Sequence, residues 1–544
     1  MKYEFGNFGE VKEKFSHLKI TKKSLFIILG IITAIILGVA SYLKLTPINM
    51  HSPAFRTLVG VLLLVWSAPL LFHTQIYGTE KPRKKSLWSI PLALLIGFFA
   101  VNTVISIATA PIFMAGNYRE LISVVDDHKF EVDVEDYSTM QIPVVDMGLA
   151  QKLGDKKLGE DNLGSQFSVG KYYMICHNSN LYWIAPIEFN GFFQWVNRKT
   201  SPGYIMINAN NPADVKIVKT ELKYTSSSYF NDDVNRKNYF NNLTAWRAEE
   251  AHLELTDEGE PRFVETVYKN TLGYTNGRDI VGIIVTNPYD GKSEYYDYLD
   301  APTWINHVLT EELIVEQLNY WGEYVKGFMN SIFAKSEVLS VSTGVNYVYS
   351  NGNMYLQTGM TSVGSDESIV GVMMVDMRTK ATYFYRIGGA TEYAAAQSAI
   401  GKDQEKRYTA TDPIMINLDG VPTYFIMLKD DEGLVKRYAY VNVKDYRLVA
   451  TADLKSEALI EYKKLIGSED ESEKKELEIA EIKQVIIAGD TYYYITFAGE
   501  DGKVFRAPVS LNPYLPFLKS GDKVLIRYEE GDDIFEITEM EIAT

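Results

Sequence analysis

The sequence predicts an α+β protein in three parts: three N-terminal transmembrane helices, a tandem array of β-hairpin-plus-helix units, and a small C-terminal β-barrel. Three observations carry that reading. Apolar runs of membrane length fill the first 115 residues. One phrase is written twice, "IVGIIVTNPYDGKSEYY" from Ile280 and "IVGVMMVDMRTKATYFY" from Ile369. Residues that favour pleated, half-buried surfaces dominate after the helices, with 37 tyrosines in 544 residues. A chain of this length exceeds one ordinary core, so several domains are expected.

The helical segment comes first. "SLFIILGIITAIILGVASYL", Ser24 to Leu43, carries no charge. At about 1.5 Å per residue such a run crosses the roughly 30 Å hydrocarbon core. Further apolar runs extend from Leu58 to Phe72 and from Leu87 to about Phe113. The middle one is short and is read as the hairpin partner of its two longer neighbours. Pro69 and Pro91 are tolerable there, because neighbouring helices re-satisfy freed backbone groups. Lys2, Lys12, Lys14, Lys19, Lys22 and Lys23 precede the first run, and Lys81, Arg83, Lys84 and Lys85 lie between the second and third. The connection from Thr46 to Phe55 has no Lys or Arg. By the positive-inside rule the N-terminus is cytoplasmic. Three crossings then place everything after about Ala115 outside a cell membrane. Gly30, Ala34 and Gly38 recur at four-residue spacing and form a close-packing face, within the bundle first and in a homo-oligomer second.

The repeated phrase defines the array. With Gly282 set against Gly371, Asn287 meets Asp376, Asp290 meets Thr379, Tyr296 meets Tyr385, and Trp304 meets Tyr393. Each copy reads as an apolar strand, a polar turn, an aromatic strand and the start of a helix. Asp290-Gly291 is a strong hairpin signal. The second copy has Thr379-Lys380 there, so a different turn is expected. "GEPRFVETVY" from Gly259 is echoed by "GVPTYFIMLK" from Gly420, after which strand, turn near Lys444-Asp445, strand and helix from about Leu454 recur. A more distant version occupies 167–218, where "GKYYMICHNSNLYWIAPIEF" and "GYIMINANNPADVKIV" read as alternating strand pairs; Leu149, Ala150 and Leu153 suggest a helix before it. The domains are therefore 1–115, the anchor; 116–258, a first α+β part; 259–466, the repeated units; 467–477, an acidic linker containing "GSEDESEKKE"; and 478–544, a barrel of five or so strands, OB-like or SH3-like. In the barrel, Val485 with Ile487 and Tyr493 with Ile495 are expected to share buried faces.

The hairpins "VTNPYDGKSEYY" and "VVDMRTKATYFY" resemble the "vD-x-x-T-G-k" turn of PepSY-type domains. Asn287 stands at that family's Asp and Gly291 at its Gly; Asp376 and Thr379 match, while Lys380 departs from the Gly. The resemblance implies small extracytoplasmic α/β modules in tandem over about 160–465. The chain as a whole is similar to uncharacterised multi-pass membrane proteins of Gram-positive bacteria and their phages, a resemblance that implies no activity.

Chemistry is sparse. The net charge of −16 argues against nucleic acid as a partner, and from Gly467 onward 18 Asp and Glu face only 8 Lys and Arg. A single cysteine, Cys176, excludes an intrachain disulfide and a Cys-based zinc site. Cys176 and His177 are strand neighbours that point to opposite faces, so they do not share a proton. "NDDVNRKNYFNN", 231–242, is rich in oxygen ligands for calcium but lacks the Gly and terminal Glu of an EF-hand loop. No catalytic residue, cofactor or metal site is assigned. A helix from about Thr303 to Phe333 carries Trp304, Tyr320, Trp321, Tyr324 and Phe328. Its stripe is read as core, with Trp304, Trp321 and Tyr324 the candidates for docking a partner. The expected function is a non-enzymatic scaffold, sensor or interaction protein of the cell envelope. Its partners are the lipid bilayer, an envelope protein and a second copy of the chain. The alternatives are a peptidase regulator or wall-acting enzyme, and an accessory subunit of a transport complex.

Overall fold

The computed structural model describes residues 22–71, 89–136, 142–248, 250–362, 368–467, 474–487, 490–500, 502–529 and 534–542. The chain divides into two units. One holds the residues up to Ala115 together with Asn235–Glu249 and Val267–Val281, and the other holds the remainder.

In the first unit, α1 (Lys22–Gly38) is prolonged by a π-helical turn, Val39–Leu43, and is followed by α2 (Pro53–Leu71) and α3 (Ser89–Ala108). Among the described residues two helices, not three, are long and apolar enough to span a bilayer: Lys23–Leu43 and Ser89–Ala108, with mean hydropathies of 2.5 and 2.2. This corrects the expected count. The apolar part of α2 runs only from Pro53 to Pro69, about 25 Å of helix against the roughly 30 Å needed. Arg56 also sits in its first turn. A core helix of a soluble protein would bury its apolar residues, but Ile31, Ile35, Ile96 and Val104 are all more than half exposed. Length, composition and exposure suit a membrane anchor.

α1 meets α2 through Leu25 and Leu29 against Val65 and Trp66, and the Trp66 indole donates to Thr33 Oγ1 at 2.9 Å. Gly30, Ala34 and Gly38 lie off that seam, exposed, and a Cβ on either glycine would meet nothing within 4 Å. The other end of α1 is tied to the inserted segments. Ile48 N donates to Leu243 O at 2.7 Å, and the Arg236 guanidinium lies 4.5 Å over the Tyr42 ring. Asn270 donates to His51 O, Arg56 to Tyr274 O, and Asn276 to Ser106 O. The C-terminal end of α1 therefore meets segment 235–249, while the N-terminal end of α2 and the C-terminal end of α3 meet segment 267–281.

Beyond the first three helices the described residues form four antiparallel meanders and a barrel. After α4 (Met147–Glu160), the first meander comprises β1 (Phe167–Val169), β2 (Tyr173–His177), β3 (Asn180–Phe189), β4 (Ser201–Asn208) and β5 (Val215–Leu222), with α5 (Phe192–Arg198) between β3 and β4. α6 (Val234–Asn241) leads to the second: β6 (Trp246–Arg247), β7 (His252–Leu255), β8 (Pro261–Leu272), β9 (Asn276–Thr286) and β10 (Ser293–Asp297). Its β8–β9 end is the hairpin that enters the helical unit. α7 (Glu311–Glu323) precedes the third: β11 (Leu339–Ser350), β12 (Asn353–Ser362), β13 (Ser368–Asp376) and β14 (Thr382–Tyr385). α8 (Glu392–Lys402) separates it from the fourth: β15 (Ile414–Leu418), β16 (Val421–Lys429), β17 (Val435–Asn442) and β18 (Val449–Ala452), closed by α9 (Lys455–Ile466). A shared core between the last two sheets joins Val372 and Met374 to Tyr424, Ile426 and Ala439, with Ala395 and Ala399 of α8.

The repeated phrase is a repeated ladder. Ile283 pairs with Tyr296 and Thr286 with Ser293; eighty-nine residues on, Val372 pairs with Tyr385 and Val375 with Thr382. Both glycines serve the same purpose. A Cβ on Gly282 would stand 2.5 Å from the Tyr295 ring, and one on Gly371 would stand 2.5 Å from the Phe384 ring. Each glycine thus lets a cross-strand aromatic lie flat over its strand. The two turns are also the same, contrary to expectation. Lys380 adopts φ +67 where Gly291 has φ +71, and their amides donate to Asp376 O and Asn287 O at 3.0 and 2.9 Å. The Asp376 carboxylate accepts from Arg378 N and Thr379 N and holds the turn, which offsets the strain on Lys380. The same side-chain cap ends the penultimate strand of all four meanders, at Asn208, Asn287, Asp376 and Asn442. The repeat fades beyond the hairpin. α7 starts at Glu311 behind its N-cap Thr310, so Trp304 lies in a loop rather than on the helix.

The barrel closes in the order β19 (Lys475–Ile487), β20 (Asp490–Phe497), β21 (Phe505–Pro508), β23 (Phe535–Ile542), β22 (Lys523–Glu529). β19 begins at Lys475, inside the stretch read as linker, and its first residues close the barrel by pairing Lys475 with Ile526 through Glu478 with Lys523. Residues 468–473 of that stretch lie outside the described residues. Tyr493 and Ile495 are buried, whereas Val485 is exposed at the end of β19, and the side chain of Ile487 lies outside the described residues.

Two substitutions in the third meander should move stability in opposite directions. Gly371→Ala forces Phe384 off its strand and should cost about 1–3 kcal/mol. Lys380→Gly relieves a left-handed side chain and should gain up to about 1 kcal/mol. Thermal unfolding of the purified chain in detergent reads both, and an unchanged midpoint for Gly371→Ala would show that the close approach is not needed.

Candidate interaction surface

The three aromatics singled out for docking are not assembled into a surface. Trp321 is 8% exposed; its ring lies 5.4 Å from Phe384, under the Arg119 guanidinium at 4.6 Å. Arg119 also donates to the Trp321 carbonyl. Tyr324 is buried against Tyr118 and stacked on Tyr320. Trp304 is half-buried in its loop. These side chains fill the interior because α7 lies against β11, where Gly322 lets the Leu339 backbone approach.

A different aromatic cluster faces solvent. "FNGFFQWVNRK" breaks β3 at Gly191, whose φ of +148 suits glycine, and winds α5 until Lys199 ends it in the left-handed region. Trp195 turns inward while Phe192, Phe193 and Val196 turn out, with Phe193 77% exposed. Tyr229 and Phe230 come from the loop after β5 and pack on α5, Phe192 to Tyr229 at 5.3 Å and Trp195 to Phe230 at 5.7 Å. Phe230 is 53% exposed and holds φ +55, a strained conformation for a bulky residue. Cations rim the cluster: Lys199 Nζ sits 3.4 Å from the Trp195 ring centroid, and Arg198 lies over Phe167. A contiguous exposed patch of large aromatics with a polar rim is the mark of an interaction site. The sequence pattern places strand pairs on either side of residues 190–202 and assigns nothing to the stretch between them. The signal was four large apolar residues, Phe192, Phe193, Trp195 and Val196, directly after Asn190-Gly191.

The polar clusters are occupied with holding the fold. Cys176 and His177 are not in contact through their functional groups. Cys176 N donates to Asn306 Oδ1, the His177 ring contacts the Asn178 amide, and burial pushes the Cys176 thiol up. His128 Nδ1 lies 2.9 Å from Asp133 Oδ2 in a cleft of about 210 Å³ lined by Ser350, Tyr355, Tyr383 and Tyr385. Asp127 lies 3.8 Å from its Nε2, and the Tyr383 ring meets the imidazole edge-on at 5.2 Å. In the 231–242 segment, Asp232 faces Lys223 at 3.8 Å, and among the described residues no three ligating side chains cluster as a metal site would need.

Two carboxyl groups, the fully buried Glu254 and the half-buried Glu188, behave differently. Burial pushes Glu254 up, but the imidazole groups of His252 and His307 and the Asn306 amide outweigh it, and its pKa is lowered. The His252 Nε2 stands 3.6 Å from the Glu254 carboxylate. Glu188 has no such partners. Burial, reinforced by the charge of Glu250, pushes it up to about 7. A carboxyl whose folded pKa is raised favours the protonated folded state, so its stability is full below the unfolded value and falls as pH rises towards 7. Stability should therefore drop by roughly 2–3 kcal/mol between about pH 4.5 and pH 7, and Glu188→Gln should flatten that fall. Urea midpoints measured at pH 4.5, 6 and 8 test this, and parallel profiles for the two proteins would rule it out. A scan against protein-family models and a search of the curated proteins return no match to this chain.

Proposed function

We propose that the chain is a membrane-anchored, non-catalytic scaffold of the cell envelope that docks a partner protein through the aromatic surface of α5 and the Tyr229-Phe230 loop. The carrying observation is that surface: Phe192, Phe193, Val196 and Phe230 are each at least 40% exposed, on a meander whose core is fully packed. Burying them would contribute about 25 cal/mol for each Å² of apolar area covered. The polar clusters are spent on internal hydrogen bonds, which supports a binding role over a catalytic one.

Orientation follows from α1 alone. Its N-terminal side carries the lysines before Ser24, its far end bonds to segment 235–249, and the loop that follows it bonds to segment 267–281. If α1 spans the bilayer, those segments, and the array covalently continuous with them, lie opposite the lysines. The positive-inside rule then puts the array outside the cell.

Two experiments test this reading. In a Cys176→Ser background, a cysteine at exposed Glu258 should be labelled by a membrane-impermeant maleimide in intact cells; labelling only after lysis would reverse the orientation. A photo-crosslinking residue at Phe193 should trap a discrete envelope protein. That adduct should fall at least tenfold, about 1.4 kcal/mol, when Phe192 and Phe230 are both changed to Ser. An unchanged adduct from a folded double variant, or turnover of a wall or peptide substrate by the purified chain, would sink the scaffold reading.

A further inference from the structure

In the helical unit a groove of about 400 Å³ opens between α2 and α3. Its walls are Val61, Leu64, Leu95, Phe98 and Phe99, and Gly60 forms its floor, where a Cβ would stand 3.4 Å from the Phe99 ring. Val61, Leu64 and Phe99 are at least 40% exposed. One end of the groove is polar, with Arg56, Thr57 and Asn102.

Arg56 is held in an unusual way. Its Nη1 alone donates to three carbonyls, Met50 O at 2.9 Å, His51 O at 3.1 Å and Tyr274 O at 2.7 Å. These bonds fix the guanidinium without neutralising it, and among the described residues no carboxylate pairs with it. Its Nε and Nη2 donors make no hydrogen bond among the described residues, leaving one fork of a bidentate donor pair aimed away from the three carbonyls. A pinned, uncompensated cation at the mouth of an apolar groove is complementary to an anionic head above an acyl chain.

We propose that the α2–α3 groove binds one anionic phospholipid of the phosphatidylglycerol class, its phosphate on the free fork of Arg56 and one acyl chain along Leu64, Leu95, Phe98 and Phe99. The site rests on the reading of this unit as a bilayer anchor. Gly60 is required because any side chain there narrows the groove. Arg56 sits at the end of α2 that is joined to the inserted hairpin, so the lipid belongs to the leaflet on that hairpin's side.

The test uses the full chain in nanodiscs of equal phosphatidylglycerol and phosphatidylcholine, with the lipids retained after delipidation identified by mass spectrometry. Wild type should retain phosphatidylglycerol over phosphatidylcholine by about fivefold, the preference expected of one cation at the membrane surface. Arg56→Gln should abolish the preference, Arg56→Lys should keep most of it, and Gly60→Leu should lose lipid retention with Arg56 intact. Insertion without any preference, or the same preference in Arg56→Gln, overturns the lipid site and leaves the anchor standing. A chain that stays out of the discs overturns both.

Discussion

The fully buried carboxylate of Glu254 is the interaction on which the meander array depends. It accepts His307 N at 2.9 Å, Asn306 N at 3.2 Å and Asn306 Nδ2 at 3.1 Å, and so fixes the loop that precedes α7. That loop in turn reaches the first meander: Asn306 Oδ1 accepts Cys176 N, and His307 Nε2 donates to Met174 O at 2.6 Å. A carbonyl only accepts, so His307 carries its proton on Nε2, and burial keeps the ring neutral by lowering its pKa. One charge thus satisfies donors from a loop that bridges two sheets. Without it, several buried amides would lose their acceptor, each at a cost of about 1–3 kcal/mol.

The same device recurs along the array. Met377 O accepts both Val308 N and Leu309 N, tying the pre-α7 loop to the third meander. Gln357 Nε2 donates to Met415 O and its Oε1 accepts Met415 N, at 2.9 and 2.8 Å, so one side chain imitates a strand and joins the third sheet to the fourth. Sheet edges are exposed rows of unpaired donors and acceptors, and saturating them internally guards against pairing with other chains. With its edges stitched in this way, the array offers a partner its side chains more than its backbone, and the aromatic surface on α5 is where large side chains stand out.

The helical unit is held by the same economy of polar contacts. Helix ends and the loops beside them leave backbone groups unpaired. Asn270, Asn276 and Arg56 satisfy carbonyls at three such places, His51 O, Ser106 O and Tyr274 O. Asn270 and Asn276 belong to the hairpin that extends the second meander, whereas Arg56 reaches that hairpin from α2. Arg56 contributes three of the bonds and retains its charge, which joins the construction of the anchor to the lipid chemistry proposed for it.

What the sequence alone determined is what nearest neighbours decide. The apolar runs, the repeated hairpin with its register, the Asx cap of each penultimate strand, and the burial of Tyr493 and Ile495 all follow from spacing and turn chemistry within a few residues. What the tertiary structure decided involves partners distant in the chain. Trp321 became core because Phe384 and Arg119 were folded against it, and Phe193 became surface because nothing described in the chain covers it. The span count fell from three to two where Arg56 and a short apolar stretch shape α2, and Lys380 took a glycine's conformation because Asp376 held its turn. Glu254 gave no signal at all, since its ligands lie about fifty residues away. Periodicity records which side of an element is apolar; it does not record which element will arrive to cover it.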